Sequence, residues 1–376
     1  MKGLRRLLDE LPGGAVLTSQ AERLSYSYDG ALDRARPDAV VLAREAEHVR
    51  RAVAWCAARG VPFVARGAGT NLSGGCIPLQ GGLVVSLAPM NRVLSIEADA
   101  GVAVAEPGVV NAQLQKELGL VGRFYAPDPA SMRVCTLGGN VAENAGGPRC
   151  LKYGVTSNHV LQLEAVMPDG SVERFSTDDG GPDLAGLLVG AEGTLGVVTR
   201  VWVRTLRAPE SIVTILAGFP SIEAAIDCVS AIVAAGVVPR VLEAMDKMTV
   251  ESVEAYCHAG YPTSEAVLLI ELDGPSAQAE AEAAAVERLC RERGAAELRR
   301  ASAAAERDRL WEGRRGAYAA VARIAPNVLV EDGVVPRSRL PEAARRVRRI
   351  AAEADLVVPL LFHAGDGNLH PNIPYD

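Results

Sequence analysis

Glycine is concentrated in three segments of the N-terminal half, and these segments constrain the fold more than any other feature of the chain. They cover residues 66–75, 127–148 and 189–199, and the first directly follows a predicted strand. Glycine lets backbone N–H groups converge on an anion, because no Cβ stands in the way, but ordering it costs much conformational entropy. A large ligand that fills the loops can offset this cost. The pattern therefore predicts a bulky, partly anionic and partly aromatic cofactor of the dinucleotide class.

Two common nucleotide-binding motifs are absent from the first segment. The motif G-x-G-x-x-G would need glycine where Leu72 stands, and a phosphate loop of the type G-x-x-x-x-G-K-S would need lysine where Gly75 stands. By itself, this segment is compatible with an anion-binding loop or with a plain connecting loop. The second and third segments are rich in hydroxyl, amide and carboxylate groups, and they favour the anion-binding loop.

Composition excludes several classes of function. A net charge of -7 argues against a nucleic-acid partner, which needs a basic surface. No run reaches the ~18 consecutive apolar residues of a membrane span, and residues 1–9 lack the features of a signal peptide. The seven cysteines include no Cys-x-x-Cys pair, which argues against the usual zinc and iron–sulfur spacings. We therefore expect a cytoplasmic protein that reaches a membrane only through a partner.

Hydrophobic periodicity predicts an α+β chain, and the pattern of predicted helices and strands changes near Pro209. Before that residue, the pattern predicts a helix at 45–59 and a hairpin formed by residues 161–167 and 171–175. Beyond it, the pattern predicts strands at 212–219, 266–272 and 327–335 and helices at 222–235, 276–294, 310–324 and 342–354. Split strand–helix repeats of this kind favour a ferredoxin-like sheet covered by helices.

The motif His363-Ala-Gly-Asp-Gly-Asn-Leu-His370 places two histidines on either side of a tight turn. Histidine is the commonest metal ligand, so both imidazoles could face one metal ion. A catalytic zinc-type site uses three protein ligands, however, and only residues 371–376 follow. These residues alone leave two interpretations open: a pair of solvated histidines, or part of a metal site.

Taken together, the motifs resemble the FAD-binding vanillyl-alcohol oxidase / p-cresol methylhydroxylase (PCMH) family. The chain most resembles its branch of glycolate oxidase flavoprotein subunits and D-lactate and D-2-hydroxyglutarate dehydrogenases. Besides the glycine segments and the histidine motif, the matching motifs are Gly193-Thr-Leu-Gly196, Trp311-Glu-Gly-Arg314 and the stretch from Glu331 to Pro341. The resemblance implies a helical lead-in (1–34), a two-subdomain PCMH-type FAD-binding domain (35–209) and a truncated, ferredoxin-like α+β cap domain for the substrate (210–376).

The resemblance also implies which residues hold FAD. The first segment would cradle the pyrophosphate, the second would line the phosphates, ribityl chain and isoalloxazine, and the third would lie near the adenosine. These residues are Arg66, Gly67, Ala68, Gly69, Thr70, Asn71, Ser73, Gly74, Pro127, Asp128, Ser131, Thr136, Gly138, Gly139, Asn140, Asn144, Ala145, Gly146, Glu192, Gly196, Val197 and Val198. Some relatives attach FAD to a histidine in the first loop. This loop has Thr70 and Asn71 but no histidine, so we expect noncovalent FAD. Asn71 replaces the usual glycine, and asparagine tolerates positive φ better than most residues.

For the cap domain, the resemblance implies a substrate site. Arg314 would pair with the substrate carboxylate, because a guanidinium binds carboxylate bidentately. Asn372 would contact the substrate, and His363 and His370 would bind a divalent metal, Zn or Mn. The implied reaction oxidises a 2-hydroxy acid such as glycolate or D-lactate to the 2-oxo acid by hydride transfer to flavin N5. An iron–sulfur subunit, a second flavin subunit or a quinone would accept the electrons.

In these relatives, a later Glu-His-Gly motif completes the metal site and supplies the base that removes the hydroxyl proton. No such motif follows His370 in this sequence. Two alternatives are therefore open: an FAD-dependent 2-hydroxy-acid oxidoreductase whose last segment is missing, or a non-catalytic FAD-binding subunit or inactive fragment. The retained Arg314, His363, His370 and Asn372 favour the enzyme.

Overall fold

The computed structural model describes residue 11, residues 15–301 and residues 303–376, which form two units. The first unit comprises the chain up to Gly147 together with Gly154–Ala208, and the second comprises Pro148–Tyr153 together with Pro209–Asp376. Residues 1–10 and 12–14 of the predicted lead-in lie outside the described residues, as does the stretch considered for a signal peptide. Both units combine helices with sheets, which confirms the α+β class.

The first unit contains two main sheets and a two-stranded ribbon. The smaller sheet consists of β1 (Val16–Leu17), β2 (Ala39–Leu42), β3 (Phe63–Arg66) and β4 (Leu83–Ser86). The larger sheet consists of β5 (Val93–Glu97), β6 (Val102–Ala105), β8 (Val160–Val166), β9 (Val172–Ser176) and β10 (Val197–Arg204). The ribbon pairs β7 (Arg123–Phe124) with β11 (Leu206–Arg207). Strand order is β1-β2-β4-β3 in the smaller sheet, where β4 is parallel to β2 and β3, and β5-β6-β10-β8-β9 in the antiparallel larger sheet.

Short helices and a single 3-10 turn connect the described strands of this unit. They are α1 (Gln20–Leu24), α2 (Ala46–Ala57), α3 (Asn111–Gly119), α4 (Leu137–Ala142), the turn Thr156–Asn158 and, after α5 (Cys150–Tyr153) of the second unit, α6 (Leu184–Leu188). The helix predicted at 45–59 is confirmed as α2, and the predicted hairpin is confirmed as β8 and β9. The chain leaves α2 through Gly60, whose φ of 60° favours glycine.

One hydrophobic core connects α2 to both sheets of the first unit. The apolar face of the helix buries Val49, Val53 and Cys56 against β2 and β4, and the same core includes Val166 and Val197 at the ends of β8 and β10. The helical spacing of these apolar residues explains why the segment buries one face and exposes the other. A second core joins the larger sheet to α3 and α4.

The second unit is built on one antiparallel sheet. Its strands are β12 (Ser211–Phe219), β13 (Val241–Asp246), β14 (Ala266–Gly274), β15 (Glu297–Arg300), β16 (Asn327–Val330), β17 (Gly333–Val334), β18 (Leu360–His363) and β19 (Asn368–Tyr375). The order is β15-β12-β14-β13-β18-β19-β16, with β17 paired to β19. The predicted strands at 212–219 and 266–272 are confirmed, whereas the strand predicted at 327–335 is divided into β16 and β17.

Helices cover both faces of this sheet. They are α7 (Ile222–Ala234), α8 (Lys247–Cys257), α9 (Ser276–Glu292), α10 (Ala304–Val321) and α11 (Leu340–Glu353), with a 3-10 turn at Arg337–Arg339. The helices α7, α9 and α11 pack on one face, and α8 and α10 pack on the other. Alternate residues of each strand face opposite cores, as in β12, where Ile215 faces α7 and Leu216 faces α8.

The first four strands of this sheet form the expected ferredoxin-like arrangement. Their order, β15-β12-β14-β13, places α7 after the first strand and α9 after the third, which is the split βαβ pattern. The strands β18, β19 and β16 extend the sheet beyond β13. Within the described residues, no helix has the length and apolar character that crossing a bilayer requires.

A pair of isoleucine substitutions tests the core between the sheet and α7. Ile215 is fully buried, whereas Ile324 is 43% exposed in the same unit. Ile215→Ala removes packed methyl groups, so we expect it to lower the free energy of unfolding by about 2–5 kcal/mol. Ile324→Ala should change it by only about 0.5 kcal/mol. Urea titration followed by circular dichroism measures both, and equal losses would contradict the assigned core.

Candidate functional site

The first glycine segment follows β3 at the edge of the smaller sheet. Because β3 and β4 are parallel, the loop after Arg66 and the turn after Ser86 leave the sheet at the same edge. Arg66 itself is buried, and its guanidinium donates to the carbonyl of Tyr28 at 2.7 Å and to Cys76 Sγ at 3.2 Å. A Cβ at Gly69, where φ is 70°, would overlap that guanidinium. The arginine and the glycine therefore fix the shape of the loop together.

The structure brings the three glycine segments into contact. A Cβ at Gly67 would lie 2.3 Å from Thr136 Oγ1, so only glycine lets the first segment approach the second this closely. The amide of Gly190 donates to the carbonyl of Val141, and the amide of Glu192 donates to that of Ala142. The third segment is therefore hydrogen-bonded to the second through the backbone.

A cavity lies where the three segments meet. Its walls are Ala65, Arg66, Gly67, Leu87, Pro107, Thr136, Gly138, Gly139, Ala142, Leu188, Glu192, Gly193, Gly196, Val197 and Val198. Nine of the residues predicted to bind the cofactor are among them. Sequence reasoning missed Leu87 and Pro107, which lie between the segments and carry no motif signal. The wall combines glycines, the buried Arg66 and apolar residues, which suits a ligand that is anionic at one end and apolar at the other.

The other predicted cofactor residues lie in the same segments but do not line this cavity. They are Ala68, Gly69, Thr70, Asn71, Ser73, Gly74, Pro127, Asp128, Ser131, Asn140, Asn144, Ala145 and Gly146. Asn71 does not have a positive φ. Its side-chain amide donates to Asp29 at 2.9 Å and to Ser73 at 3.2 Å. These hydrogen bonds show how asparagine is accommodated at this position without a left-handed backbone.

Glu143 adds an acidic group beside the first segment. Ser73 Oγ donates to its carboxylate at 3.0 Å. Burial raises the pKa of Glu143, and the nearby carboxylates of Glu192 and Asp29 raise it further, against the hydrogen bond from Ser73. A Cβ at Gly75 would lie 2.4 Å from Glu192 Oε2. Glu143, beside the first glycine segment, is therefore easier to protonate than an ordinary glutamate, because its pKa is raised.

In the second unit, strand register places the histidine motif beside a buried carboxylate. Glu243 of β13 and His363 of β18 are directly opposite each other in the antiparallel pair. Their strand neighbours Met245 and Leu361 belong to the core under α8 and α10, so Glu243 and His363 face the same side. Arg314 is on α10, which covers this face.

These three side chains form a buried charged cluster. His363 Nδ1 donates to Glu243 Oε1 at 2.7 Å, and Arg314 Nη2 forms an ion pair with Glu243 Oε2. The side chain of Glu243 has no exposed surface, and that of Arg314 is 5% exposed. Burial would raise the pKa of Glu243, but Arg314 and His363 outweigh it and lower the pKa to about 2. Glu243 is therefore a buried carboxylate anion with two partners.

His370 lies next to this cluster and is neutral at neutral pH. Its ring meets the ring of His363 edge to face, with centroids 5.0 Å apart, and its Nδ1 lies 3.5 Å from Asp332 Oδ1. Burial and the positive charge of His363 lower the pKa of His370 to about 4. The two imidazole side chains are 16% and 17% exposed, so both remain accessible to a ligand.

Asn372 has a different environment from the other predicted residues. It is 1% exposed, and its side-chain nitrogen donates to the carbonyls of His370 at 2.8 Å and Pro359 at 3.4 Å. The side-chain nitrogen of Asn372 is therefore occupied by backbone carbonyls, and its side-chain oxygen is the atom that could accept a hydrogen bond from a ligand. Within the described residues, no three His, Cys, Asp or Glu side chains gather as a metal site.

A second buried network anchors α10 to the sheet. Glu271 of β14 accepts hydrogen bonds from Trp311 Nε1 at 2.5 Å and from Thr214 Oγ1 at 2.9 Å. Asp273, two residues along the strand, pairs with Arg240 and with Lys152. Trp311 precedes Arg314 by three residues, so this network fixes the helix close to the candidate site.

Sequence reasoning missed Glu243 altogether. The strand Val241–Asp246 was not predicted, and neither was α8 after it. The available signal was a single glutamate in an otherwise apolar stretch, which points to a buried charge in need of a partner. Only the pairing of β13 with β18 shows that the partner is His363.

Two family profiles match the chain. The profile of the FAD binding domain covers residues 37–176, and that of the FAD linked oxidases, C-terminal domain, covers residues 208–376. The first match includes the first two glycine segments and the second includes the charged cluster. FAD is therefore the cofactor of this chain, as the glycine segments and the resemblance predicted.

Curated relatives match along most of their length. The chain is 42% identical to the glycolate oxidase subunit GlcD of Bacillus subtilis (strain 168), over 95% of this chain and 77% of that protein. It is 40% identical to GlcD of Escherichia coli (strain K12), over 99% and 76%. It is 31% identical to a probable mitochondrial D-lactate dehydrogenase of Danio rerio, over 96% and 74%. These matches confirm the resemblance inferred from the motifs.

Solved structures confirm the PCMH-type fold. An alkyldihydroxyacetonephosphate synthase superposes with a TM-score of 0.82 at 19% identity, covering 98% of this chain and 79% of that chain. A p-cresol methylhydroxylase with substrate bound also gives 0.82, at 16% identity, covering 100% and 82%. At such low identities the likeness establishes the fold alone.

A glycine substitution tests the cavity between the three segments. A Cβ at Gly138 would lie 2.5 Å from Pro107 Cβ, whereas a Cβ at Gly119 has no neighbour within 4 Å. Overpacking costs about 1–3 kcal/mol, so Gly138→Ala should weaken FAD binding on the order of tenfold to a hundredfold. Gly119→Ala should bind FAD like the parent chain.

The measurement is fluorescence titration of the apoprotein with FAD. A parallel sample of each holoprotein is denatured and filtered, and the flavin should appear in the filtrate, because we expect noncovalent binding. Flavin that stays with the denatured chain would contradict that expectation. Equal FAD affinities for the two variants would contradict the placement of the cofactor in this cavity.

Proposed function

This chain belongs to the FAD-linked oxidase family, and on that premise we propose that it oxidises a small 2-hydroxy acid to the 2-oxo acid. The observation that carries the proposal is the charged cluster of Arg314, Glu243 and His363 beside the neutral His370. The relatives' names support the substrate class, since they include glycolate oxidase subunits and D-lactate dehydrogenases. Glycolate and D-lactate are therefore the substrates that we propose to test first.

Arg314 is the proposed partner of the substrate carboxylate. It is buried, its Nη2 is paired with Glu243, and its Nε donates to no described residue. A buried N–H without an acceptor is costly, and a bound carboxylate would supply that acceptor. Because Glu243 already balances the charge of Arg314, a ligand would be selected by hydrogen-bond geometry as much as by charge.

The two histidines are proposed to meet the 2-hydroxyl group. His370, whose pKa is lowered to about 4, keeps an unprotonated ring nitrogen at neutral pH. An unprotonated imidazole accepts a hydrogen bond and is also the form that binds a divalent metal such as Zn or Mn. The described residues supply only these two imidazoles, not the three protein ligands of a catalytic metal centre. We therefore assign no proton transfer to a metal. Asn372, with its side-chain oxygen, completes the proposed site.

FAD, when bound, supplies the two-electron acceptor for the oxidation. We propose that the electrons leave through a separate protein or a quinone, since the seven cysteines include no iron–sulfur spacing. The names of the GlcD relatives, each called a subunit of glycolate oxidase, support a partner subunit.

Anaerobic titration of the holoprotein tests the proposed reaction. We expect the oxidised flavin absorbance to fall when glycolate, D-lactate or D-2-hydroxyglutarate is added and not when L-lactate is added. The measurement is a stopped-flow absorbance record with each acid. A flavin that stays oxidised with every acid would overturn the proposal and favour a non-catalytic FAD-binding subunit.

Replacing Arg314 tests the carboxylate partner. Arg314→Lys keeps the positive charge but loses the paired N–H donors, so the substrate concentration for half-maximal flavin reduction should rise about tenfold to a hundredfold. Arg309→Lys is the matched control on the same helix, because Arg309 is exposed. Equal effects of the two substitutions would show that Arg314 does not bind the substrate.

A further inference from the structure

We propose that Glu243 is a positioning residue, which fixes the tautomer of His363 and the orientation of Arg314. This inference rests on the proposed function of the cluster. Glu243 has no exposed side-chain surface, whereas His363 is 16% exposed. A ligand can therefore reach the imidazole but not the carboxylate, so Glu243 acts only through its two neighbours.

The hydrogen bond between Glu243 and His363 determines which ring nitrogen carries the proton. An ionised carboxylate can only accept, and the Nδ1–Oε1 distance is 2.7 Å, so Nδ1 must donate. Arg314 Nη2 also approaches Nδ1, at 3.5 Å, but it is another donor and the distance is long. The bond leaves Nε2 as the ring nitrogen available to a ligand. Burial lowers the pKa of His363, but Glu243 outweighs burial and raises it. Once the ring is neutral, Nε2 carries the lone pair that a hydroxyl group or a metal ion requires.

The second contact of Glu243 fixes the guanidinium. Its Oε2 holds Arg314 Nη2, and one carboxylate therefore contacts two residues that come from α10 and β18. The helix has a separate anchor in the hydrogen bond between Trp311 and Glu271. Because that anchor does not involve Glu243, the ion pair with Arg314 orients the side chain rather than holding the helix.

Glu271 provides a matched control for a purely structural role. It is also a buried glutamate on this face of the sheet, and it accepts from Trp311 and Thr214, but it does not contact His363. Glutamine at position 243 offers one acceptor oxygen where the carboxylate offers two, so it cannot serve both His363 and Arg314. Glutamine at position 271 puts an N–H donor where Glu271 Oε2 pairs with Arg240, so it disturbs a buried ion pair without touching the candidate site.

Nitrogen NMR of the holoprotein labelled with 15N-histidine is the direct test, since the chain has five histidines. In a pH series we expect one ring, once it is neutral, to show a protonated Nδ1 and an unprotonated Nε2, and this signal should disappear in His363→Asn. In Glu243→Gln, the ring should shift towards protonated Nε2, and kcat/KM should fall about tenfold to a hundredfold. Glu243→Asp should recover part of both, and Glu271→Gln should leave both within about twofold.

Several results would overturn the inference. A wild-type His363 whose neutral ring is protonated at Nε2 would do so even if Glu243→Gln failed to fold. An unchanged tautomer and kcat/KM in a folded Glu243→Gln would also do so, as would equal losses in Glu271→Gln. If no 2-hydroxy acid reduces the wild-type flavin, the proposed function fails, and the ring signals still decide the role of Glu243.

Discussion

Buried carboxylates on one face of the second sheet determine how the rest of that unit is arranged. Glu243, Glu271 and Asp273 are buried, and an unpaired buried charge is costly. Each carboxylate therefore has partners from another element: Arg314 and His363 for the first, Trp311 and Thr214 for the second, and Lys152 and Arg240 for the third. The partners of these carboxylates anchor α10 through Trp311 and orient the side chains of Arg314 and His363.

The first unit depends on a different constraint, the close approach of glycine backbone to neighbouring residues. Gly67 and Gly138 lie where any Cβ would overlap Thr136 or Pro107. The three glycine segments therefore lie close together, and five glycines are among the residues that line the cavity between them. The two units thus use different means, since close approach at glycines shapes the cavity of the first and paired charged side chains shape the cluster of the second.

Regular elements with strong periodicity were predictable from the sequence, and weakly patterned ones were not. The helix α2 and the strands β12 and β14 follow from apolar spacing, because each buries a defined face. The strand β13 was not predicted, because its apolar run contains Glu243. The helix α8 was not predicted either, because its two faces differ little in hydrophobicity. The predicted strand at 327–335 is interrupted at Glu331 and Asp332, where β16 ends before β17 begins.

The sequence by itself determined the cofactor class and the α+β architecture, and its resemblance to a known family indicated Arg314, His363 and His370 as site residues to test. Glycine density and motif spacing are local properties, and they are readable along the chain. Only the tertiary structure decided that Glu243 joins Arg314 to His363, because that contact depends on the register of β13 against β18 and on the helix above them. Glu243 and His363 are 120 positions apart in the chain, and no local sequence pattern relates them.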